Sequence, residues 1–273
     1  RHDRILLLGV SGATILPFLR LISRARIITN VDGIEWRREK WRGLAKHYLR
    51  FAEKVAVRFS DVVIADNQAI ADYLKQSYDC EATVITYGGD HAVAVEPDPA
   101  AAAHLLDGYV LGLCRIDPEN NIAMILEAFD GLDEALVFVG NWDKSDYGRA
   151  LKAKYADHPT ITIHDPVFDP GGLRAIRDKA SLYVHGHSAG GTNPALVEMM
   201  HFGIPILAYG CEFNRQTTEG EALYFRSAEE LRAVVRQLTD DKACLVGEAM
   251  REIARRRYTW DLIGKAYFAL LEA

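Results

Sequence analysis

The sequence predicts an α/β protein built on doubly wound parallel sheets, and three observations carry that reading. Short apolar runs alternate with helical patterns through most of the 273 residues, which implies parallel strands covered by helices on both faces. A stretch over residues 88–107, rich in Gly, Pro and Ala, is followed by a restart of the pattern at Tyr109-Val-Leu-Gly-Leu-Cys-Arg115, so two domains are expected. Residues 182–208 read as strand end, glycine-rich loop, helix, tight turn and next strand, with the loop where such sheets bind ligands.

Candidate strands fall at 5–10, 26–29, 62–65, 83–86, 109–113, 135–139, 160–163, 182–185 and 204–208. Helical patterns fall between them, for example at 39–59, 67–76, 121–129 and 228–238. No fixed-period repeat is visible. The last residues, from Tyr258-Thr-Trp260 onward, form an amphipathic helical pattern.

About half of the residues are hydrophobic, enough for a sizeable core. A net charge of −6 argues against a general nucleic-acid binder. Cys80, Cys114, Cys211 and Cys244 are far apart with no Cys-x-x-Cys pair, which disfavours zinc and a disulfide framework and fits reduced thiols in the cytoplasm. No apolar run reaches the ~18 residues that a membrane span needs. The run Ile5-Leu-Leu-Leu-Gly-Val is too short for a signal peptide.

The chemistry concentrates at strand ends. Leu182-Tyr-Val stops at His185 and His187, and Gly190-Gly191 let the backbone approach a ligand closely. Thr192 or Asn193 can cap the following helix, whose first turn carries Pro194. Gly203 ends that helix ahead of Pro205. A helix start suits phosphate, and Glu198, one turn inside, can accept hydrogen bonds from sugar hydroxyls; as a helix-interior glutamate it can equally just face solvent. The layout fits a nucleotide-sugar site. Two histidines at i, i+2 with no third ligand at a usable spacing give no metal site; polar contacts from His187 are the expectation.

Arg115 follows the strand that restarts the pattern, where a guanidinium can bind a diphosphate bidentately; as a residue of a βα loop it can equally be plain surface. Gly140, before Asn141-Trp142, either admits a base or ribose or makes an ordinary turn. Asn214 and Arg215 stand in Phe213-Asn-Arg-Gln-Thr-Thr-Glu219, a polar loop suited to sugar and diphosphate contacts, though an unliganded surface loop reads alike. Asp32 and Glu35, in Asn30-Val-Asp-Gly-Ile-Glu-Trp36, are the candidate catalytic carboxylates, serving as general base or stabilising positive charge at an anomeric carbon. The alternative for them is a turn Asp and a helix-capping Glu.

The helix expected over 38–59 has two faces. Trp41, Leu44, Tyr48, Phe51, Val55 and Phe59 form an apolar stripe at 3/4 spacing, expected to face the core. Arg38, Arg42, Lys46, Arg50, Lys54 and Arg58 sweep the other side. That basic face either is simply solvated or attracts anionic lipid.

The run from His185 resembles the donor-binding segment of family 4 glycosyltransferases, whose pattern is Glu, seven residues, Glu, then Ala-Met-x-x-Gly-x-Pro-Val. Glu198 takes the second Glu position and Met199-Met200-His-Phe-Gly203-Ile-Pro205-Ile follows the tail, while Gly190 stands at the first. The form HGHSAGGTNP, with Asn30–Trp36, Tyr87-Gly-Gly-Asp-His91 and Phe213–Glu219, is similar to bacterial rhamnosyltransferases of capsule and surface polysaccharide synthesis. The likeness spans almost the whole chain.

The resemblance implies a GT-B fold of two Rossmann-like domains. Residues 1–92 would form the acceptor-side domain, lacking its N-terminal part and completed by a helix at 259–273; residues 93–258 would form the donor-binding domain. Arg115, Gly140, His187, Gly190, Gly191, Thr192, Asn193, Glu198, Asn214 and Arg215 would bind the donor. The family's Lys five residues after the Arg is Asn120 here, and the His of its usual His-Asp pair is Val31. The implied activity is retaining transfer of a sugar, rhamnose from dTDP-rhamnose, to a saccharide or lipid-linked acceptor. No metal or cofactor is implied, and the setting is cytoplasmic with peripheral contact at the inner face of the membrane. A nucleotide-sugar epimerase and a non-catalytic nucleotide-sugar binding module are the alternatives; conversion of donor alone marks the first, binding without transfer the second.

Overall fold

The computed structural model describes residues 3–38 and 41–272. In chain order the first elements are β1 (Arg4–Leu8), α1 (Leu16–Ile22), β2 (Arg26–Asn30), α2 (Gly43–Phe59), β3 (Val62–Ala65), α3 (Gln68–Tyr78) and β4 (Thr83–Val84). Then come α4 (His91–Ala94), β5 (Tyr109–Leu113), α5 (Ile122–Phe129), β6 (Leu136–Val139), α6 (Asp146–Tyr155), β7 (Ile161–His164) and α7 (Pro170–Asp178). The last are β8 (Ala180–His185), α8 (Pro194–Met200), β9 (Ile206–Tyr209), α9 (Glu212–Thr217), β10 (Leu223–Phe225), α10 (Ala228–Gln237), α11 (Asp240–Arg257) and α12 (Trp260–Glu272).

These elements form two compact units. One runs to Tyr87 and takes in Ala189–Thr192 and the chain from Asp261 onward; the other holds Gly88–Ser188 and Asn193–Trp260. Every strand pairing in both units is parallel.

The first unit has a four-stranded sheet in the order β1-β2-β3-β4. Central β2 and β3 bury nearly every residue, the expected signature of parallel strands covered on both faces. Helix α12 closes this sheet: Ile263 packs with Ile28, Ile64 and Ile85, flanked by Tyr267, Leu270 and Leu271. The Tyr267 hydroxyl accepts from Asn30 Nδ2 at 2.8 Å, tying the helix to the end of β2.

Helix α2 corrects the expected pattern. Its buried face is Leu49, Ala52, Glu53, Val55 and Ala56, whereas Leu44 is 88% exposed and Tyr48 and Phe51 are about half exposed. The stripe at 3/4 spacing therefore lies mostly on solvent, because small Ala52 and Ala56 let the helix approach the sheet along the neighbouring face. Trp41 precedes the helix, and the expected start at Glu39 lies outside the described residues.

The second unit has six strands in the order β7-β6-β5-β8-β9-β10. The chain winds outward from β5 through β6 to β7, then returns to β8 and winds the other way. That is the 3-2-1-4-5-6 order of a dinucleotide-type sheet, with its switch point between β5 and β8. Strand β10 is missing from the expected set because Leu223-Tyr-Phe is too short to show a period. Phe129, Leu126, Phe138, Trp142, Leu182, Val184, Leu207 and Leu231 lie in its main core. All four cysteines are free thiols. Among the described residues, no helix is long and apolar enough to cross a membrane.

Candidate functional site

The carboxyl ends of β5 and β8 define the crevice of the second unit, and hydrogen bonds tie together Arg115, Asn120, His187 and Asn214 there. Arg115 follows β5 and is exposed. Its loop is fixed by Asn120, which is 2% exposed. Asn120 Nδ2 donates to the Arg115 carbonyl at 2.7 Å, and its Oδ1 lies 2.6 Å from His187 Nδ1. With the amide so oriented, His187 carries its proton on Nδ1 and, in the neutral ring, its lone pair on Nε2. Asn120 thus makes a buried bridge between the two strand ends.

Asn214, 1% exposed, grips the same loop: its Nδ2 donates to the carbonyls of His187 and Tyr209, each at 2.9 Å. It is a positioning residue rather than an exposed polar contact. The segment Phe213–Glu219, expected as a loop, is largely the short helix α9. Arg215 is exposed and stacks on Tyr224, 3.9 Å from the ring centroid. His185 is buried and hydrogen-bonded to the Tyr183 hydroxyl at 3.1 Å. Burial, then the neighbouring His187, holds its imidazole well below the usual histidine range, so it is neutral at pH 7.

Asn193 caps α8, its Oδ1 accepting from the Ala195 amide at 3.0 Å. The helix ends at Met200, three residues before the expected Gly203, which lies in the turn that follows with φ +68°. Glu198 is 17% exposed at its side chain and pairs with Arg177 of α7, itself 6% exposed. His91 Nε2 lies 3.4 Å from the other carboxylate oxygen. A carboxylate held this way still offers acceptor lone pairs, with its charge already offset. Gly140 makes room for Ile116 and the Cys114 carbonyl, and Trp142 two residues on is fully buried. Packing therefore accounts for that glycine.

Gly190, Gly191 and Thr192 belong to the first unit. Thr192 is not a cap: its hydroxyl donates to the Asp66 carbonyl at 2.6 Å and accepts from Asn67 Nδ2 at 3.2 Å. Gly190 has φ +115°, and a Cβ on Gly33 would lie 3.2 Å from its Cα. The Asp32-Gly33 turn and the glycine loop therefore touch backbone to backbone.

Asp32 sits at φ +59°, held by its amide donating to Asn30 Oδ1 at 2.8 Å. Its Oδ1 accepts from the Tyr87 hydroxyl at 3.0 Å. Glu35 accepts from Arg38 and from Trp41 Nε1, both at 2.9 Å. Asp32 and Glu35 line one cavity of about 520 Å³, with Trp41, Tyr48 and Leu49 among its other walls.

Sequence reasoning passed over Asp66, which follows β3 and is 1% exposed. Its Oδ1 is buried without a hydrogen-bond partner. Burial, then the nearby charge of Asp32, pushes its carboxyl up to about 7. The signal was available: Asp66 ends an apolar strand, as Asp32 nearly does. Arg177 gave none, standing in a helix at no motif. Among the described residues, no group of three or more His, Cys, Asp or Glu side chains is placed to hold a metal ion.

Residues 4–90 match a family model described as a domain of unknown function, DUF1972. A search of curated proteins finds no significant match. Among solved structures, sucrose-phosphate synthase from Thermosynechococcus elongatus is 19% identical with a TM-score of 0.82, the match covering 99% of this chain and 74% of that one. HepE from Anabaena, in complex with UDP, is 16% identical with a TM-score of 0.79, covering 98% and 78%. A glycosyltransferase from Rickettsia africae is 14% identical with a TM-score of 0.78, covering 98% and 76%. At such identities the likeness establishes the architecture: this chain has the GT-B fold, two Rossmann-like units each built on a parallel sheet.

Proposed function

We propose that the chain is a metal-independent glycosyltransferase that takes its sugar from a nucleotide-diphosphate donor. The observation that carries this reading is the switch point of the six-stranded sheet. Exposed Arg115, the Asn120–His187 bridge and the capped start of α8 converge on the end where such sheets bind nucleotides. Arg115 is the diphosphate ligand and offsets the charge of the leaving group. Glu198 accepts from hydroxyls of the nucleotide ribose or the sugar. His187, Asn193, Asn214 and Arg215 shape or contact the donor site. The UDP in HepE supports a nucleotide donor.

The first unit serves the acceptor, with Asp32 and Glu35 as the carboxylates that assist transfer or stabilise positive charge at the anomeric carbon. Retention of anomeric configuration, rhamnose as the sugar and a lipid-linked saccharide as acceptor are the finer reading, resting on the sequence likeness of the His185–Pro205 run. Calorimetric titration with UDP-, GDP- and dTDP-sugars tests it, followed by transfer assays with whichever binds. One donor should bind saturably, and Arg115→Ala should weaken it by roughly tenfold or more, the loss of a charge-assisted pair. Absence of binding to every nucleotide sugar, or an unchanged constant in Arg115→Ala, refutes the proposal.

A further inference from the structure

We propose that the first unit carries a separate cationic site, a cavity of about 550 Å³ walled by α2, α3 and the turn after β2, that takes a phosphate- or pyrophosphate-bearing ligand. The volume is that of a small-molecule pocket. Arg37, His47, Arg50 and Lys54 line it together with Trp36 and Tyr73, and among the described residues no carboxylate does. That concentration of positive charge stands on a chain whose net charge is −6, so it is a local feature rather than a reflection of composition.

The geometry that gathers the cations is specific. The guanidinium of Arg37 lies 5.2 Å from the Trp36 ring centroid and 4.7 Å from that of Tyr73. Arg50 lies 5.2 Å and Lys46 5.7 Å from the Trp36 ring. Three cations therefore share one indole, each attracted to its face. Like charges this close repel, and a multivalent anion among them relieves the repulsion.

The ring is itself fixed from below. Glu53 is fully buried, and its Oε1 accepts from Trp36 Nε1 at 3.2 Å, Tyr73 hydroxyl at 2.6 Å and Tyr78 hydroxyl at 2.7 Å. One buried carboxylate thus orients three aromatic side chains, and its charge offsets part of the cationic cluster. The cavity is held in shape by the fold, while Arg50 and Lys54 remain exposed. Phosphate charge sits against Arg37, Arg50 and Lys54, and an apolar or sugar moiety lies on the aromatic wall.

This site uses none of the donor-crevice residues, and Arg50 and Lys54 of α2 act through it rather than as part of a uniform charged face. The ligand's phosphate is either free in solution or carried on a lipid headgroup. The experiment titrates inorganic pyrophosphate into the wild-type chain, Arg115→Ala and Arg50→Glu/Lys54→Glu, with Arg37→Gln as a milder variant. Flotation with phosphatidylcholine vesicles, with and without phosphatidylglycerol, runs in parallel.

Saturable pyrophosphate binding that survives Arg115→Ala and weakens roughly tenfold or more in the charge-reversed variant, with a smaller loss in Arg37→Gln, is the result expected for a free ligand. Flotation that needs phosphatidylglycerol and is lost in the same variant, without pyrophosphate binding, assigns the site to a lipid-borne phosphate. No binding in either assay, binding that Arg50→Glu/Lys54→Glu leaves unchanged, or binding lost only in Arg115→Ala overturns the proposal.

Discussion

Gly191 packs its Cα against the carboxylate of Asp66, and a Cβ at that position would overlap the buried side chain. The glycine is there for close approach: the loop it belongs to is pinned to the Asp66 carbonyl through Thr192. Gly191→Ala should therefore cost on the order of 1–3 kcal/mol, the usual range for an overpacked site. Asp66→Ala in the same chain should relieve the clash. A double-mutant cycle read by denaturant unfolding checks this; strictly additive losses would show that the two residues do not meet.

Asp66 also makes stability fall as pH rises. Its native carboxyl titrates at about 7, against an ordinary value of 3.8 that the unfolded chain keeps. Below 3.8 both states hold the proton and its stabilisation is fully present. Between 3.8 and 7 only the native state holds it, so stability declines by up to about 1.4 kcal/mol per pH unit. Above 7 the loss is complete. Asp66→Asn has no such proton, so its melting temperature relative to wild type should climb from pH 5 to pH 8. A constant difference across that window would sink the assignment.

Asn120 is expected to be irreplaceable by the lysine its register would suggest. Asn120→Lys would place an ammonium at a site 2% exposed and break both contacts to Arg115 and His187. Asn120→Ala should lower stability by about 1–3 kcal/mol, the cost of an unsatisfied buried partner. Asn120→Lys should lose more, and neither should bind donor more tightly than wild type. Thermal melts with donor titrations decide it; a lysine variant of native stability and improved affinity would mean that the position belongs to the phosphate ligands.

The α/β architecture was legible because parallel strands such as β5 and β6 are almost wholly apolar, and the Gly203-Ile-Pro205 stop after α8 is local. The strand-end rule picked out Asp32 after β2 of the first unit, and Arg115 and His187 after β5 and β8 of the second, because in each sheet topology alone puts such residues at the carboxyl edge. It could not show that Asn120 and Asn214 face inward and hold the loop, since their bonds to His187 join residues far apart in sequence. Nor could periodicity reveal the buried face of α2, where Ala52 and Ala56 matter more than the larger Leu44 and Phe51. Arg177 was invisible because its partner Glu198 lies on another helix.

That partnership changes how Glu198 has to be tested. Arg177 is 5% exposed, its Nε has no hydrogen-bond partner, and its guanidinium pairs with the Glu198 carboxylate. Glu198→Ala leaves a buried cation uncompensated and should cost about 3–5 kcal/mol. Lost donor binding in that variant would therefore conflate a damaged fold with a missing ligand contact. Glu198→Gln keeps the shape and an acceptor oxygen and should be destabilised less. Arg177→Met/Glu198→Leu removes both charges and should recover most of the stability lost by Glu198→Ala, as buried pairs replaced together often do. If Glu198 binds the donor directly, the double variant will be stable yet bind nucleotide sugar at least about tenfold more weakly. Circular dichroism melts with calorimetric titration separate the two effects, and a stable double variant with wild-type affinity would remove Glu198 from the site.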